Sequence, residues 1–156
     1  MKTLAFDLDG KGGLDAFLSR RWIMKYLGLK LGECNREVYF DSKEWVGDDP
    51  HRKKRYEDVP FVPVRVWHTV NGWHLEIDMD AEVDNVKAIL MQCMLGDDYR
   101  RSLAQLLRIE RGCVDWNNLY QQKWKLNERG QQIEVSHEKF DPDLSKKVQD
   151  LIQLGE

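Results

Sequence analysis

The chain has 156 residues, of which 42% are hydrophobic and 33% are charged, and its net charge is −3 at pH 7. This length and composition predict one globular domain over residues 1–156 and exclude a disordered chain. The slightly acidic balance excludes a protein that binds polyanions over its whole surface, and no apolar run reaches the roughly 20 residues that a membrane-spanning helix needs.

The N-terminus carries Asp7 and Asp9 where a signal peptide would need an unbroken apolar stretch, which argues against export. Cys34, Cys93 and Cys113 are odd in number and lack the paired spacing of zinc sites. We therefore expect three reduced and mostly buried thiols, no membrane partner and a cytoplasmic location.

The predicted elements begin with a strand over residues 2–9, in which apolar side chains alternate with small or acidic ones. A helix over residues 14–27 follows, and Gly28 stands where a helix C-terminus is expected. A short strand over residues 37–41 and a charged, exposed loop over residues 42–60 come next.

The clearest local pattern is a hairpin over residues 62–80. Asn71 and Gly72 separate two alternating runs, which predicts a type I′ turn with positive φ at both residues. In that register Arg65 faces Asp78 across the strands, and the two faces of the hairpin differ in polarity. Together with the first strand, the predicted polar face carries Asp7, Asp9, Arg65, Trp67, His74, Glu76 and Asp78.

Two helices follow, the first over residues 83–94 and ended by Gly96. Asp97 and Asp98 suit the N-terminus of the second helix, and Gly112 suits its end. Its predicted buried stripe consists of Leu103, Leu106, Leu107 and Ile109. A closing hairpin over residues 118–136 and a terminal helix that starts at Pro142 complete the chain. These elements predict an α+β, two-layer sandwich: a mainly antiparallel sheet with helices on one face and an open polar face.

The polar face suggests a metal site. Asp7 and Asp9 are two residues apart on a strand, so their carboxylates point the same way, as the ligands of Mg²⁺ or Mn²⁺ do. His74 is expected on the same face if the first strand lies beside the hairpin. The simpler interpretation is that all three are solvated strand residues without a ligand.

The stretches LAFDLD and TVNGWH, with Val114–Asp115 further on, resemble the motifs of the archaeo-eukaryotic primase superfamily. The resemblance implies metal-dependent nucleotidyl or phosphodiester chemistry in replication, with Asp7, Asp9 and His74 catalytic. It assigns the metal to Asp7, Asp9 and Asp115, and the phosphates of an incoming nucleotide to His74. The stretch over residues 95–100, with Gly112 and Lys123, is also similar to small uncharacterised proteins of archaea and their viruses.

Nucleic acid or a nucleotide is therefore the expected partner. Arg65 and Arg100 are candidate phosphate contacts, Trp67 is a candidate stacking platform, and Lys123 is a further candidate for substrate binding. The apolar helix stripes also allow a homo-oligomer.

Three alternatives stay open. In a haloacid dehalogenase-like phosphatase Asp7 would be the nucleophile and Asp9 the acid, but those enzymes need a parallel βα series. In a replication-initiator nuclease Tyr120 would attack DNA. A non-catalytic binding or adaptor protein would use the same sheet face, with Trp45 and Trp67 exposed.

Overall fold

The computed structural model describes residues 1–35, 56, 58–113, 116–117, 119 and 122–154. The described strands are β1 (Lys2–Asp9), β2 (Val64–His68), β3 (Gly72–Met79), β4 (Gln122–Leu126), β5 (Gln132–His137) and β6 (Lys139–Phe140). The described helices are α1 (Gly13–Ser19), α2 (Trp22–Tyr26), α3 (Asn85–Leu95), α4 (Tyr99–Glu110) and α5 (Pro142–Leu154). The predicted strand over residues 37–41 and most of the predicted loop over residues 42–60 lie outside the described residues.

Four strands form an antiparallel sheet in the order β1–β3–β2–β6, and β4 pairs with β5 separately. The α+β class with a mainly antiparallel sheet is therefore confirmed. No helix in the described ranges is both long and apolar enough to cross a membrane.

Strand β1 lies beside β3, the adjacency on which the predicted site depends. Asp7 is paired directly with His74, and Asp9 is paired with Gly72. The two backbones approach closely at this last pair: a Cβ atom on Gly72 would lie 1.9 Å from the carbonyl oxygen of Leu8. Gly72 is therefore needed because it leaves room for β1.

The hairpin turn differs from the predicted type I′ turn. Trp67 pairs with His74 and Arg65 with Glu76, a register shifted by two residues from the predicted one. Among the described residues every positive φ belongs to a glycine, and Gly72 is not one of them, so the turn is not type I′. Because side chains alternate with a period of two, a shift by two residues leaves each one on its predicted face.

Helices α1, α3 and α5 contribute side chains to the core beside the apolar face of the sheet. Phe17 of α1 packs on Phe6 with ring centroids 5.1 Å apart, and Ile89 of α3 and Val148 of α5 complete the same core. The predicted helix over residues 14–27 is two short helices, which break at residues 20–21. Gly28 has a φ of +69° and ends the second helix as predicted.

The polar face is not open, which corrects one feature of the predicted sandwich. Arg65, Trp67, Glu76 and Asp78 are all buried. Their charges are satisfied internally: Arg65 lies 2.8 Å from Asp78 and 3.2 Å from Glu76. The hydroxyl of Tyr56 donates to Glu76, and its ring packs against Trp67, so this face has a core of its own.

Helices α3 and α4 begin and end close to the predicted positions, with Asp84 and Asp98 as N-caps. However, α4 is turned the other way: Ser102 and Gln105 are buried, whereas Leu103, Leu106 and Leu107 are exposed. Of the predicted stripe, Ile109 alone packs against the core. The prediction of mostly buried thiols was also wrong, since Cys93 and Cys113 are exposed. All three cysteines lie within the described ranges, and none forms a disulfide.

Candidate functional site

The free edge of β1 is held by side chains of α3 and α4 and the residues that follow them. The amide of Ala5 donates to Gln92, and the amide of Asp7 donates to Asp97, both at 2.9 Å. Arg101 donates to the carbonyl oxygen of Ala5 at 2.9 Å. These bonds satisfy edge groups that would otherwise invite another strand, and they fix the position of Asp7.

This support explains the orientation of α4. Arg101 lies on the buried side of the helix, where it binds Asp97 at 2.8 Å and the side-chain oxygen of Asn117 at 3.0 Å. The support of β1 by polar side chains was not predicted from the sequence. These side chains are Gln92, Asp97, Arg101 and Asn117. Periodicity assigns apolar stripes to a core, and no pattern marks polar side chains that bind a distant strand edge.

The centre of the candidate site is a row of three side chains, Asp7, His74 and Glu138. The Nδ1 atom of His74 lies 2.6 Å from Oε2 of Glu138, and its Nε2 atom lies 3.5 Å from Oδ1 of Asp7. His74 and Glu138 are buried, whereas about a third of the Asp7 side chain is exposed. Asp7 is therefore the member of this row that is most accessible to solvent.

Glu138 is a site residue that sequence reasoning did not identify. It directly precedes β6, a strand of two residues that is too short to show alternation. Its approach to His74 depends on β6 pairing with β2 across a separation of more than 60 residues. No local sequence signal carries that information.

Asp9 lies at the exposed end of β1, on the same side of the strand as Asp7. The next residue, Gly10, has a φ of +79° and donates its amide to the carbonyl oxygen of Asn71 at 2.6 Å. The turn after β1 is thereby tied to the β2–β3 turn. The hydrogen bond to Asp98 and the charge of Asp98 raise the pKa of the Arg100 guanidinium, and the charges of Tyr99 and Asp9 add to this effect.

Two arginines at the start of α4, Arg100 and Arg101, bind the carboxylates that precede the helix. Burial raises the pKa of Asp97, although Arg101 opposes the shift. Arg101 binds Asp97, and Arg100 binds Asp98 through two hydrogen bonds at 3.2 and 3.0 Å. Arg100 and Arg101 thus each bind a carboxylate, and Asp7 and Glu138 lie on either side of the His74 imidazole.

The structure therefore brings together Asp7 and His74, with Asp9 on the same side of β1. Arg65 and Trp67, predicted as substrate contacts, are buried in the second core and cannot reach a substrate. Arg100 is exposed at the same end of the sheet as Asp9, and its role in substrate binding stays a prediction. Lys123 lies in β4, which does not pair with the main sheet. Asp115, Tyr120 and Trp45 lie outside the described residues.

The donor set fits a divalent cation only in part. Two ligands of one cation, each bound at roughly 2.1 Å, are commonly about 3 Å apart, close to the separation of Asp7 Oδ1 and His74 Nε2. Within the described ranges, no group of three or more His, Cys, Asp or Glu residues is arranged to hold a metal ion. The described residues thus offer two ligands, plus a carboxylate that orients the imidazole.

Comparisons with known proteins return no relative from which a role could be transferred. No family model matches the chain, and searches of curated proteins and of solved structures give no match.

Proposed function

We propose that the Asp7–His74 pair binds a divalent cation and, through it, the phosphate groups of a nucleic acid or nucleotide. The observation that carries this proposal is the approach of His74 Nε2 to within 3.5 Å of an accessible Asp7 carboxylate, while Nδ1 is held at 2.6 Å by Glu138.

Glu138 supports this role by selecting one form of the imidazole. A carboxylate only accepts hydrogen bonds, so the proton of neutral His74 belongs on Nδ1 and the lone pair of Nε2 points toward Asp7. Carboxylates that orient the histidine ligands of a metal in this way are common. One imidazole and one carboxylate suit Mn²⁺ better than Mg²⁺, which prefers oxygen ligands.

The cation would supply the positive charge that a phosphate group needs here. His74 lies between two carboxylates, so an anion that approached it directly would meet repulsion from Asp7 and Glu138. The direct contact between His74 and phosphate that the primase resemblance implies is therefore replaced by a contact through the cation.

A basic and aromatic segment that contains α2 supports nucleic acid as the ligand. Residues 16–32 contain four basic residues and no acidic one. Trp22 and Tyr26 are exposed on α2, with ring centroids 6.4 Å apart in an edge-to-face arrangement. An exposed aromatic ring of this kind can stack on a base. Arg20 lies close to Gly96, which precedes the Asp97 carboxylate that holds β1.

Fluorescence anisotropy with a labelled single-stranded oligonucleotide tests this proposal. We expect binding in Mn²⁺ that is lost on chelation, strongly weakened by Asp7→Asn and His74→Gln, and unchanged by the control His68→Gln. His68 is a suitable control because it is on the adjacent strand and contacts a different carboxylate, Asp141. If all variants bind the oligonucleotide equally, with or without Mn²⁺, the proposal is contradicted.

Binding without turnover is the second candidate, and it is favoured by the donor set of two ligands that the described residues provide. The two-metal centres that catalyse phosphoryl transfer hold two cations about 4 Å apart, which two protein ligands do not support. Incubation with a primed template and deoxynucleotides in Mn²⁺ separates the candidates. Extension or cleavage that disappears in Asp7→Asn indicates an enzyme, whereas an unchanged template that is nevertheless bound indicates a binding protein.

The phosphatase alternative loses its structural basis. It requires parallel strands, and every strand pair in the described part of the chain is antiparallel.

A further inference from the structure

Helix α4 presents its apolar side to solvent. Leu103 is 62% exposed, Leu106 39% and Leu107 46%, and Tyr99 at the start of the helix is 74% exposed. The opposite side of the helix cannot be turned outward, because Arg101 and Asn117 bind each other there beside the edge of β1. The exposed stripe is therefore a fixed feature of the fold.

The preceding helix, which contacts α4, has an exposed apolar stripe as well. Val86, Leu90 and Met94 of α3 are spaced four residues apart and are each about half exposed. Large apolar side chains that are scattered singly on a surface need no explanation, but a stripe on each of two packed helices is typical of a protein interface.

The sequence of α4 points to a second copy of this chain as the partner. Arg100, Leu103, Leu107 and Glu110 are separated by three, four and three residues, so the pattern is symmetric about Gln105 except that the two ends have opposite charge. All four lie on the exposed side of the helix. Such a pattern is self-complementary when two copies of the helix pack antiparallel about a two-fold axis.

We propose that α4 forms the centre of a two-fold symmetric dimer interface between two copies of this chain. In this arrangement Leu103 of each copy faces Leu107 of the other, and Arg100 of each copy faces Glu110 of the other. Arg111 would face the exposed ring of Tyr99 across the same axis, a cation–π contact. The proposal is independent of the cation site.

Two complementary variants of the full-length chain test this geometry. Leu103→Glu places a carboxylate opposite an apolar residue in a homodimer, and Leu107→Lys does the same with an ammonium group. We expect the wild-type chain to sediment as a dimer and each variant alone as a monomer. When the two variants are mixed, Glu at position 103 of one chain faces Lys at position 107 of the other, so we expect a heterodimer, identified by its mass in native mass spectrometry.

Val70→Glu is the matched control, because Val70 is 69% exposed in the β2–β3 turn and far in sequence from α4. It should leave the dimer intact. Charge reversal is a second test that leaves the leucines unchanged. We expect Arg100→Glu alone and Glu110→Arg alone to weaken the dimer, and the double variant to restore it. A monomeric wild type, dimeric Leu103→Glu or Leu107→Lys variants, or a mixture that stays monomeric beside a dimeric wild type would each overturn the proposal.

Discussion

Gly72 shows how a single residue can be identified correctly for the wrong physical reason. The Asn71–Gly72 pair predicts a turn that needs positive φ, yet Gly72 has no positive φ and begins β3. Its function is to let the carbonyl oxygen of Leu8 approach within a distance that a Cβ atom would forbid. The position of the hairpin is thus encoded locally, whereas the need for glycine comes from β1, which is distant in sequence.

We predict that Gly72→Ala lowers the free energy of unfolding by about 1–3 kcal/mol, because the added methyl group collides with backbone that cannot move as a flexible side chain would. Denaturant titration measures the change. The control is Gly12→Ala, since a Cβ atom at Gly12 meets nothing within 4 Å and its φ is −95°. Equal stability of Gly72→Ala and wild type would mean that β1 lies farther from β3 than described.

Arg65 is a second residue whose position was predicted and whose role was not. Alternation places it on the polar face, but only the tertiary structure shows that Tyr56, Asn35 and Thr3 enclose its two carboxylate partners. A charged residue on a strand is usually solvated, so sequence reasoning assigned it to a ligand.

Replacing Arg65 with Met leaves Glu76 and Asp78 buried without their cation, and we predict a loss of about 3–5 kcal/mol in unfolding free energy. Lys87→Met is the matched control. It removes a lysine of which 70% of the side chain is exposed and which lies 3.9 Å from Asp84, and such exposed pairs contribute about 1 kcal/mol or less. Thermal and denaturant unfolding of both variants give the comparison, and similar losses for the two would contradict the buried network.

At the scale of elements, the boundaries of α3 and α4 were predicted well and the orientation of α4 was not. Caps such as Asp98 and stops such as Gly96 act within one turn, so the local sequence specifies them. The face that α4 buries depends instead on the edge of β1, about 95 residues away in sequence. The stripe of leucines was real, but its assignment to the core was wrong.

The N-terminus of α5 provides a pH-dependent test of an element. Asp141 accepts the amide of Leu144 at 2.9 Å and lies 2.6 Å from Nε2 of His68. The bond from the Leu144 amide and, after it, the bond to His68 lower the pKa of Asp141 below its ordinary value of 3.8. A lowered pKa means that the folded state favours the ionised form of Asp141 more than the unfolded state does. The contribution of Asp141 to the unfolding free energy is therefore complete above the ordinary pKa and is lost as pH falls through the lowered pKa.

We predict that Asp141→Ala lowers the unfolding free energy at neutral pH by about 1–2 kcal/mol, as expected for the loss of an N-cap. The difference in unfolding free energy between the variant and wild type should decrease as the pH falls below the ordinary pKa of the carboxyl group. Unfolding titrations across the acid range measure it, with Asp15→Ala as a control, since no side-chain cap bond was found at the start of α1. A difference that persists unchanged in acid would show that the carboxylate charge is not the cause.

At the scale of the whole molecule, the predictable part of the site was the part encoded within strands. Alternation placed Asp7 and His74 on the polar face of their strands. Because β1 pairs with β3, the two residues are direct cross-strand neighbours. Three other residues at the site are each more than 60 positions away in sequence from the residues that they contact: Glu138, Gln92 and Asp97. Their contribution depends on the complete fold. The open face was mispredicted because Tyr56, which precedes β2, packs over part of that face, and no local pattern indicated this contact.

Mn²⁺ binding by the full-length chain, followed by electron paramagnetic resonance, tests the central claim most directly. We predict one Mn²⁺ per chain with a nitrogen coupling from the imidazole of His74. The coupling should disappear in His74→Gln and persist in the control His68→Gln, and Asp7→Asn should weaken binding of the ion. A chain that leaves Mn²⁺ free in solution, or a nitrogen coupling that survives in His74→Gln, would contradict the account.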